Sequence, residues 1–416
     1  MPARITAIIP TYNRALLMAE AIHSILAQTR PVFEIIVYDD GSTDNTGEIA
    51  GQLGTIMASA KQSDSVPAFH FYTTDNGGKS RALNLALEKA QGDYIWICDD
   101  DDLALPHAAD TLAGILDEDP SLIGVGGGYR RFTIQGKKGK KTEFGPGYWP
   151  NLSSGSPLRH LLEDIFVFQN ATMVRKSAYD AVGPFREDLR RSIDYDMIVR
   201  LACSGPMKLI DDPVFLQRKH GGMRGPKGAR EDPKDSAKTW KIADNDIFTS
   251  FRERIPLSVY EGMFRAEDSK VVRRAALLQR ACVFARRTDW DMALRDFADA
   301  AKLAPAYRLS ETESDICKRA LAGKYGCREA MTPTVRRSLR DIAGMSASGG
   351  SIARALSRGI AWRGKVAMRE GRIGEAGSVA TFVSALSFTH SGHGRGDLPG
   401  PVYENDQLPE QSYRII

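Results

Sequence analysis

Apolar residues in the first half of the chain come in short runs that stop at polar turns. Ile5-Thr6-Ala7-Ile8-Ile9, Glu34-Ile35-Ile36-Val37-Tyr38, Ala68-Phe69-His70-Phe71-Tyr72 and Tyr94-Ile95-Trp96-Ile97-Cys98 have strand length and a β-prone composition. Pro10, which cannot donate to a central ladder, is expected to stop the first of them. Between the runs apolar residues recur at helical spacing, as in Leu16, Leu17, Ala21, Ile22, Ile25 and Leu26, and again from Arg81 to Ala90. Gly41 permits a turn after the second run, and Ser42, Thr43 or Asp44 can cap the helix that follows. Strand and helix alternating at this interval predict a mostly parallel, twisted sheet flanked by helices, an α/β fold of Rossmann type.

The pattern continues with less regularity. Leu105-Pro106 opens a helix that Asp119-Pro120 ends, and Leu122 to Tyr129 reads as a strand. Its Gly124, Gly126, Gly127 and Gly128 point to close approach by a ligand or by another backbone. The polar, basic and Pro/Gly-rich stretch Thr133 to Ser156 reads as a mobile loop. Phe166 to Val174 is apolar with a polar interruption, Val182-Gly183-Pro184-Phe185 is a helix stop, and a helix begins at Asp194. Met207 to Ile210 and Val214 to Arg218 read as two short strands. From Met223 to about Asp235 no apolar period survives, which sets a first domain at 1–225 and a linker at 226–240. Beyond it an all-α domain is expected over 241–389 and a flexible tail over 390–416. Arg280 to Pro305 resembles one tetratricopeptide unit, with Trp290 as packing, and Arg363 to Leu386 is a weaker echo. Fewer than three repeats make helical hairpins, not a solenoid, and these helices are expected to serve a protein partner or self-association.

Composition narrows the class. At 416 residues two or three cores are expected. A net charge of +4 gives no reason to expect nucleic acid. Five scattered cysteines without Cys-x-x-Cys spacing exclude a zinc ribbon and fit reduced, buried thiols. No window reaches the roughly 18 to 20 apolar residues of a membrane helix, so no transmembrane segment is expected. Met1-Pro2-Ala3-Arg4-Ile5 runs straight into a strand. The expectation is a cytoplasmic protein, for which a peripheral place at the inner membrane face stays open. Arg130, Arg131, Lys137, Lys138, Lys140 and Lys141 crowd one Gly-rich loop, either as a solvated face or toward an anionic acceptor or headgroup.

The chemistry concentrates where strands end. Asp99, Asp100, Asp101 and Asp102 follow an apolar strand directly, and four like charges in a row require water or a cation. Ligands in open α/β sheets sit beyond the carboxyl ends of strands, so a divalent metal site is expected there, Mn²⁺ or Mg²⁺, bringing in a diphosphate. An EF-hand is excluded because position six from Asp99 is Ala104. Asp39 and Asp40 end a second strand. Gly77-Gly78-Lys79-Ser80 is not a phosphate loop, since Thr73 occupies its first glycine position, yet with Lys79 and Arg81 this helix entry can hold an anion.

Four blocks, Ile8 to Arg14, Val37 to Thr46, Asn76 to Asn84 and Cys98 to Asp102, resemble in order and spacing the family two glycosyltransferases of GT-A fold. The resemblance covers roughly the first 225 residues and none of the helical half. It implies inverting transfer of a sugar from a nucleotide-sugar donor to a hydroxyl acceptor, glycan or lipid-linked. It also implies donor contacts from Pro10, Thr11, Tyr12, Arg14, Asp39, Asp40, Lys79, Arg81, Asp99 and Asp100. Asp101, Asp99 and His220 are the implied metal ligands, with Arg218 beside His220 at the late strand end. Asp102 would begin the exit turn. Asp194 falls at the family's catalytic base, although Ile193 stands where the family has Glu. Two other classes remain: a non-catalytic GT-A scaffold or binding protein, and another nucleotide-sugar enzyme such as a nucleotidyltransferase. The second lacks its glycine-rich loop here, because Pro10 to Arg14 contains no glycine.

Overall fold

Seven consecutive buried residues form β1 (Ile5–Thr11), the apolar strand that a doubly covered sheet requires. The computed structural model describes residues 2–60, 66–135, 140–219, 236–324, 327–387, 399–405 and 407–416. After β1 come α1 (Ala15–Leu26), β2 (Glu34–Asp39), α2 (Thr46–Ala60), β3 (Ala68–Thr73), α3 (Lys79–Lys89) and β4 (Tyr94–Ile97). They are followed by β5 (Leu103–Ala104), α4 (Ala108–Glu118), β6 (Gly124–Gln135), β7 (Lys140–Pro146), α5 (Pro157–Glu163), β8 (Thr172–Arg175), α6 (Lys176–Val182), α7 (Ile193–Ser204) and β9 (Met207–Arg218).

Among the described residues the strands make one nine-stranded sheet in the order β3-β2-β1-β4-β8-β6-β9-β5, with β7 paired to β6. The half built from β3, β2, β1 and β4 is parallel, and β8 joins β4 antiparallel. This is the expected α/β organisation. It differs from the sequence reading at three strands. β1 runs through Pro10, which pairs in register with Tyr38. Cys98 N donates to Ile8 O, so even positions of β1 turn their backbone toward β4, and that pairing ends at Ile97; Pro10 therefore leaves no partner without a donor. The two short strands expected near 207–218 are one twelve-residue strand with irregular register against Gly126 to Tyr129. A Cβ on Gly128 would stand 2.6 Å from Asp211 O, so of the two readings of the glycine run the structure shows another backbone. Part of the stretch expected as a mobile loop is β7.

The chain divides into two units: Met1–Asn151 with Ile165–Ser236 and Ile415–Ile416, and Leu152–Asp164 with Ala237–Arg414. The second unit contains α5, α8 (Ser236–Arg254), α9 (Leu257–Glu261), β10 (Phe264–Arg265), α10 (Ser269–Arg286), α11 (Trp290–Leu303), α12 (Glu311–Ala320), α13 (Pro333–Met345), α14 (Ala347–Arg369), α15 (Ile373–Ser387) and β11 (Val402–Tyr403). Residues 152–164, expected within the first domain, thus belong with the helices. The buried Glu163 explains this. It accepts hydrogen bonds from Arg159 (3.1 Å), Gln279 (2.9 Å) and Arg319 (3.0 Å), and its carbonyl takes Arg286 Nε at 2.9 Å. Burial opposes its charge, but Arg319, Arg159 and Arg286 hold the carboxyl well below the usual range.

The sequence also expects a loose tail from 390, and residues 399–416 depart from that where described. β11 pairs antiparallel with β10, the Tyr403 ring lies 5.1 Å from Phe264, and the Tyr403 hydroxyl accepts Arg319 at 3.0 Å. Helix α8 begins at Ser236, inside the expected linker, whose residues 226–235 lie outside the described set. All five cysteines are buried thiols and Trp290 is packed. No helix among the described residues is long and apolar enough to cross a membrane.

Arg274 and Glu313 are both fully buried and joined by two hydrogen bonds of 2.6 and 2.7 Å. Removing one partner of such a pair strands a charge in the core. Glu313→Ala is therefore expected to destabilise the helical unit by about 3–5 kcal/mol, read as earlier loss of helical circular dichroism in urea.

Candidate functional site

The carboxyl ends of β1, β2 and β4 bring Thr11, Asp39 and Asp99 to one edge of the sheet. Asp39 is turned into its own loop, accepting from Ser42 N at 3.1 Å and Thr73 Oγ1 at 3.3 Å. Asp40 accepts the amides of Gly77 (2.7 Å) and Gly78 (2.9 Å) and the side chain of Asn76 (3.1 Å). The anion held by that glycine-rich helix entry is thus the Asp40 carboxylate. Gly78 has φ 94 and Gly41 φ 77, and a Cβ on Gly41 would stand 2.8 Å from Asn76 N, so this pairing of loops depends on both. Arg81 is exposed and lies over Gly77. Asn13, at φ 52, accepts the amides of Thr43 (2.7 Å) and Asp44 (3.2 Å), clasping the loop that carries Tyr12 and Arg14 to the loop after β2.

The four aspartates divide by partner. Asp99 pairs with Lys79 at the start of α3. Asp100 is buried, accepting Thr11 Oγ1 at 2.9 Å and Arg14 Nη1 at 2.7 Å. Asp101 shares Arg14 at 3.0 Å. Asp102 is buried, and its two oxygens accept Arg218 N and Asn170 Nδ2, both at 2.7 Å. Burial pushes Asp100 up to about 6, against the pull of Arg14 and with the push of Asp101. Burial and then Asp101 and Asp99 raise Asp102 well above the carboxylate range. Asp99, Asp101 and Asp102 each offer an oxygen within 4.8 Å of the others. Three hard oxygen donors within this distance of one another fit Mn²⁺ or Mg²⁺.

Asp194 stands in the first turn of α7, after Ser192 in a left-handed conformation at φ 55. Upstream, Asn84 exchanges hydrogen bonds with the backbone of Phe185, as a satisfied helix side chain, and so anchors the approach to α7. Desolvation pushes Asp194 up to about 6, eased by Lys79 and reinforced by Asp99. Lys79 is itself raised: burial opposes its charge, but Asp99, Asp194 and Asp101 outweigh it. One lysine thus lies in the field of both the acid cluster and Asp194.

A recess of about 230 Å³ is lined by Pro10, Arg14, Lys79, Asp99, Asp100, Asp101, Asp102, Arg191, Gln217 and Arg218. Arg218 donates to Asp101 O at 2.8 Å, pairs with Glu20 and stacks 4.6 Å from Phe132. His220 lies outside the described residues. Arg191, Gln217 and Asn170 are not among the residues that sequence reasoning selects. Only Asn170 carries a signal, as a polar residue inside the apolar run 166–174.

Residues 6–183 match the family model described as Glycosyl transferase family 2. The chain is 34% identical over 129 residues to glycosyltransferase GlyG of Streptococcus pneumoniae, covering 31% of this chain and 40% of that protein. It is 28% identical over 214 residues to chondroitin synthase of Escherichia coli, covering 51% and 28%. It is 30% identical over 202 residues to the putative glycosyltransferase EpsE of Bacillus subtilis, covering 47% and 66%. The match thus spans well under half the length of the first two relatives.

Proposed function

Residues 6–183 belong to glycosyl transferase family 2, and from that premise we propose that the chain transfers a sugar, with inversion, from a nucleoside-diphosphate sugar to an acceptor hydroxyl. The observation that supports this reading is that Lys79, paired with Asp99 of the crowded Asp99, Asp101 and Asp102, also lies in the field of Asp194. Asp99, Asp101 and Asp102 would hold a divalent ion, which when bound supplies positive charge to the departing diphosphate. Arg14, Lys79, Arg191 and Arg218 line the same recess and add cationic side chains for that anion. Asp194 takes the acceptor proton as the hydroxyl attacks the anomeric carbon and the nucleoside diphosphate leaves. Burial suits it to that work, because a carboxylate with a pKa near 6 is ionised at neutral pH and a better proton acceptor than a solvated one.

The test is a thermal-shift panel of UDP, GDP, CDP and dTDP with and without Mn²⁺, followed by a search for donor hydrolysis with whichever nucleotide stabilises. At a hundredfold excess over Kd the matching nucleotide adds about 2.7 kcal/mol, and the addition is expected to need the metal. No stabilisation by any of the four, together with no metal-dependent release of nucleoside diphosphate, would overturn the reading.

A further inference from the structure

Five of the 23 residues of α14 are Arg or Lys and none is Asp or Glu. The absence of acids does not by itself mark a surface. Helix α10 also lacks acids over its 18 residues, yet its arginines are paired from other elements: Arg273 with Glu261, Arg274 with Glu313, Arg280 with Asp296 and Arg286 with Asp164. α14 differs. Among the described residues no carboxylate oxygen lies within 4.0 Å of the charged nitrogens of Arg354, Arg358, Lys365 or Arg369. Partial burial, then the neighbouring charges of Arg308 and Arg358, hold the Arg354 guanidinium below the usual arginine range.

Steps of four, four, three and four residues place Arg354, Arg358, Trp362, Lys365 and Arg369 in one stripe, an arc of about 80° running over about 22 Å of helix. The opposite face, with Ile352, Leu356, Ile360 and Ala367, is buried. Trp362 is 47% exposed, whereas Trp96 and Trp290 are core residues. The indole is held in place: the Arg363 guanidinium stacks 4.7 Å from it and donates to Leu321 O and Gly323 O. Met368, in the last turn of α14, and Ile373, the first residue of α15, are 68% and 72% exposed. Cations alone suit water or any polyanion. An exposed indole on the cationic stripe, with Met368 exposed near its end, suits an interface that is charged outside and apolar beneath.

We propose that the Arg354 to Arg369 stripe of α14, with Trp362, docks the chain on a membrane surface bearing anionic lipid headgroups. Each cation near such a surface raises partitioning about fivefold, and Trp362 sits at headgroup level. This surface lies wholly within the helical unit and is independent of the sugar-transfer reading.

The full chain is sedimented, without donor or acceptor, with vesicles of phosphatidylcholine alone and of phosphatidylcholine mixed equally with phosphatidylglycerol. Binding to the mixed vesicles only, weakened by salt, is expected. The exposed triple variant Arg358→Gln, Lys365→Gln, Arg369→Gln should lower partitioning about 10²-fold with unchanged circular dichroism. Trp362→Ala should weaken vesicle binding while leaving retention on heparin unchanged. Equal sedimentation with both vesicles, or insensitivity to the triple variant or to Trp362→Ala, overturns the proposal. So does retention on heparin without vesicle binding, which would assign the stripe to a soluble polyanion.

Discussion

Asp194→Asn is expected to lower kcat about 10²- to 10⁴-fold while the affinity for nucleoside diphosphate stays within a factor of about two. The substitution keeps size and shape, and its amide oxygen can still accept the Tyr195 amide that Asp194 accepts now at 3.0 Å. What it loses is the ability to take a proton. The wild-type pH profile follows from the same residue. With the carboxyl pushed up to about 6, the active form is the ionised one, so kcat falls tenfold per pH unit below about 6 and is flat above it. Stability moves the other way. A carboxyl whose folded pKa is raised is penalised once it ionises, so that penalty is absent below the unfolded value, grows as pH rises toward 6 and is complete beyond it. The variant should therefore be at least as stable as wild type at neutral pH, which separates a catalytic loss from a folding loss. Normal kcat at saturating substrates, or a collapse of nucleotide binding, would remove Asp194 from the role of base.

Removing divalent metal with a chelator is expected to abolish donor cleavage, and Asp101→Ala to reduce it at least about 10²-fold, since a metal ion contributes several kcal/mol at a developing phosphate charge. Binding can be read without turnover by titrating Mn²⁺ and following its electron paramagnetic resonance. Asp101→Ala should weaken that binding because Asp101 is one of three oxygen donors and the least buried with Asp99. Asp100 serves as the contrast. It is not one of the three acids whose oxygens lie within 4.8 Å of one another, and its carboxylate accepts Thr11 and Arg14, so Asp100→Asn should leave Mn²⁺ affinity near wild type. Full activity in chelator, or equal loss of Mn²⁺ affinity in both variants, would break this division among neighbours.

That division shows where sequence reading stops. Four acids after an apolar strand mark a candidate cation site, since like charges in a row require water or a cation, and the parallel half of the sheet is legible because β1, β2 and β4 are short, mostly apolar runs. Which acid faces which partner is not local information. Asp102 is oriented by Asn170 and by the Arg218 amide, 68 and 116 residues away. The same distance problem hides α5. Pro157 to Glu163 falls inside the span 1–225 expected for the first domain, and only Gln279 and Arg319, 116 and 156 residues later, assign it elsewhere. Strand β7, made of Lys140 to Pro146, carries too little apolar pattern to be told from a loop, and its pairing with β6 supplies what its composition lacks.

The path of α5 bears on how such a protein can change over evolutionary time. Because Leu158, Leu161 and Leu162 are buried and Glu163 is held by arginines of the helical unit, the segment between two strands of one unit is part of the core of the other. A cut or gene fusion near residue 236 does not pass between two separable modules. It leaves behind a helix whose apolar face and carboxylate have lost their surroundings. A transfer of the helical half onto another catalytic domain is therefore expected to need residues 152–164 along with it.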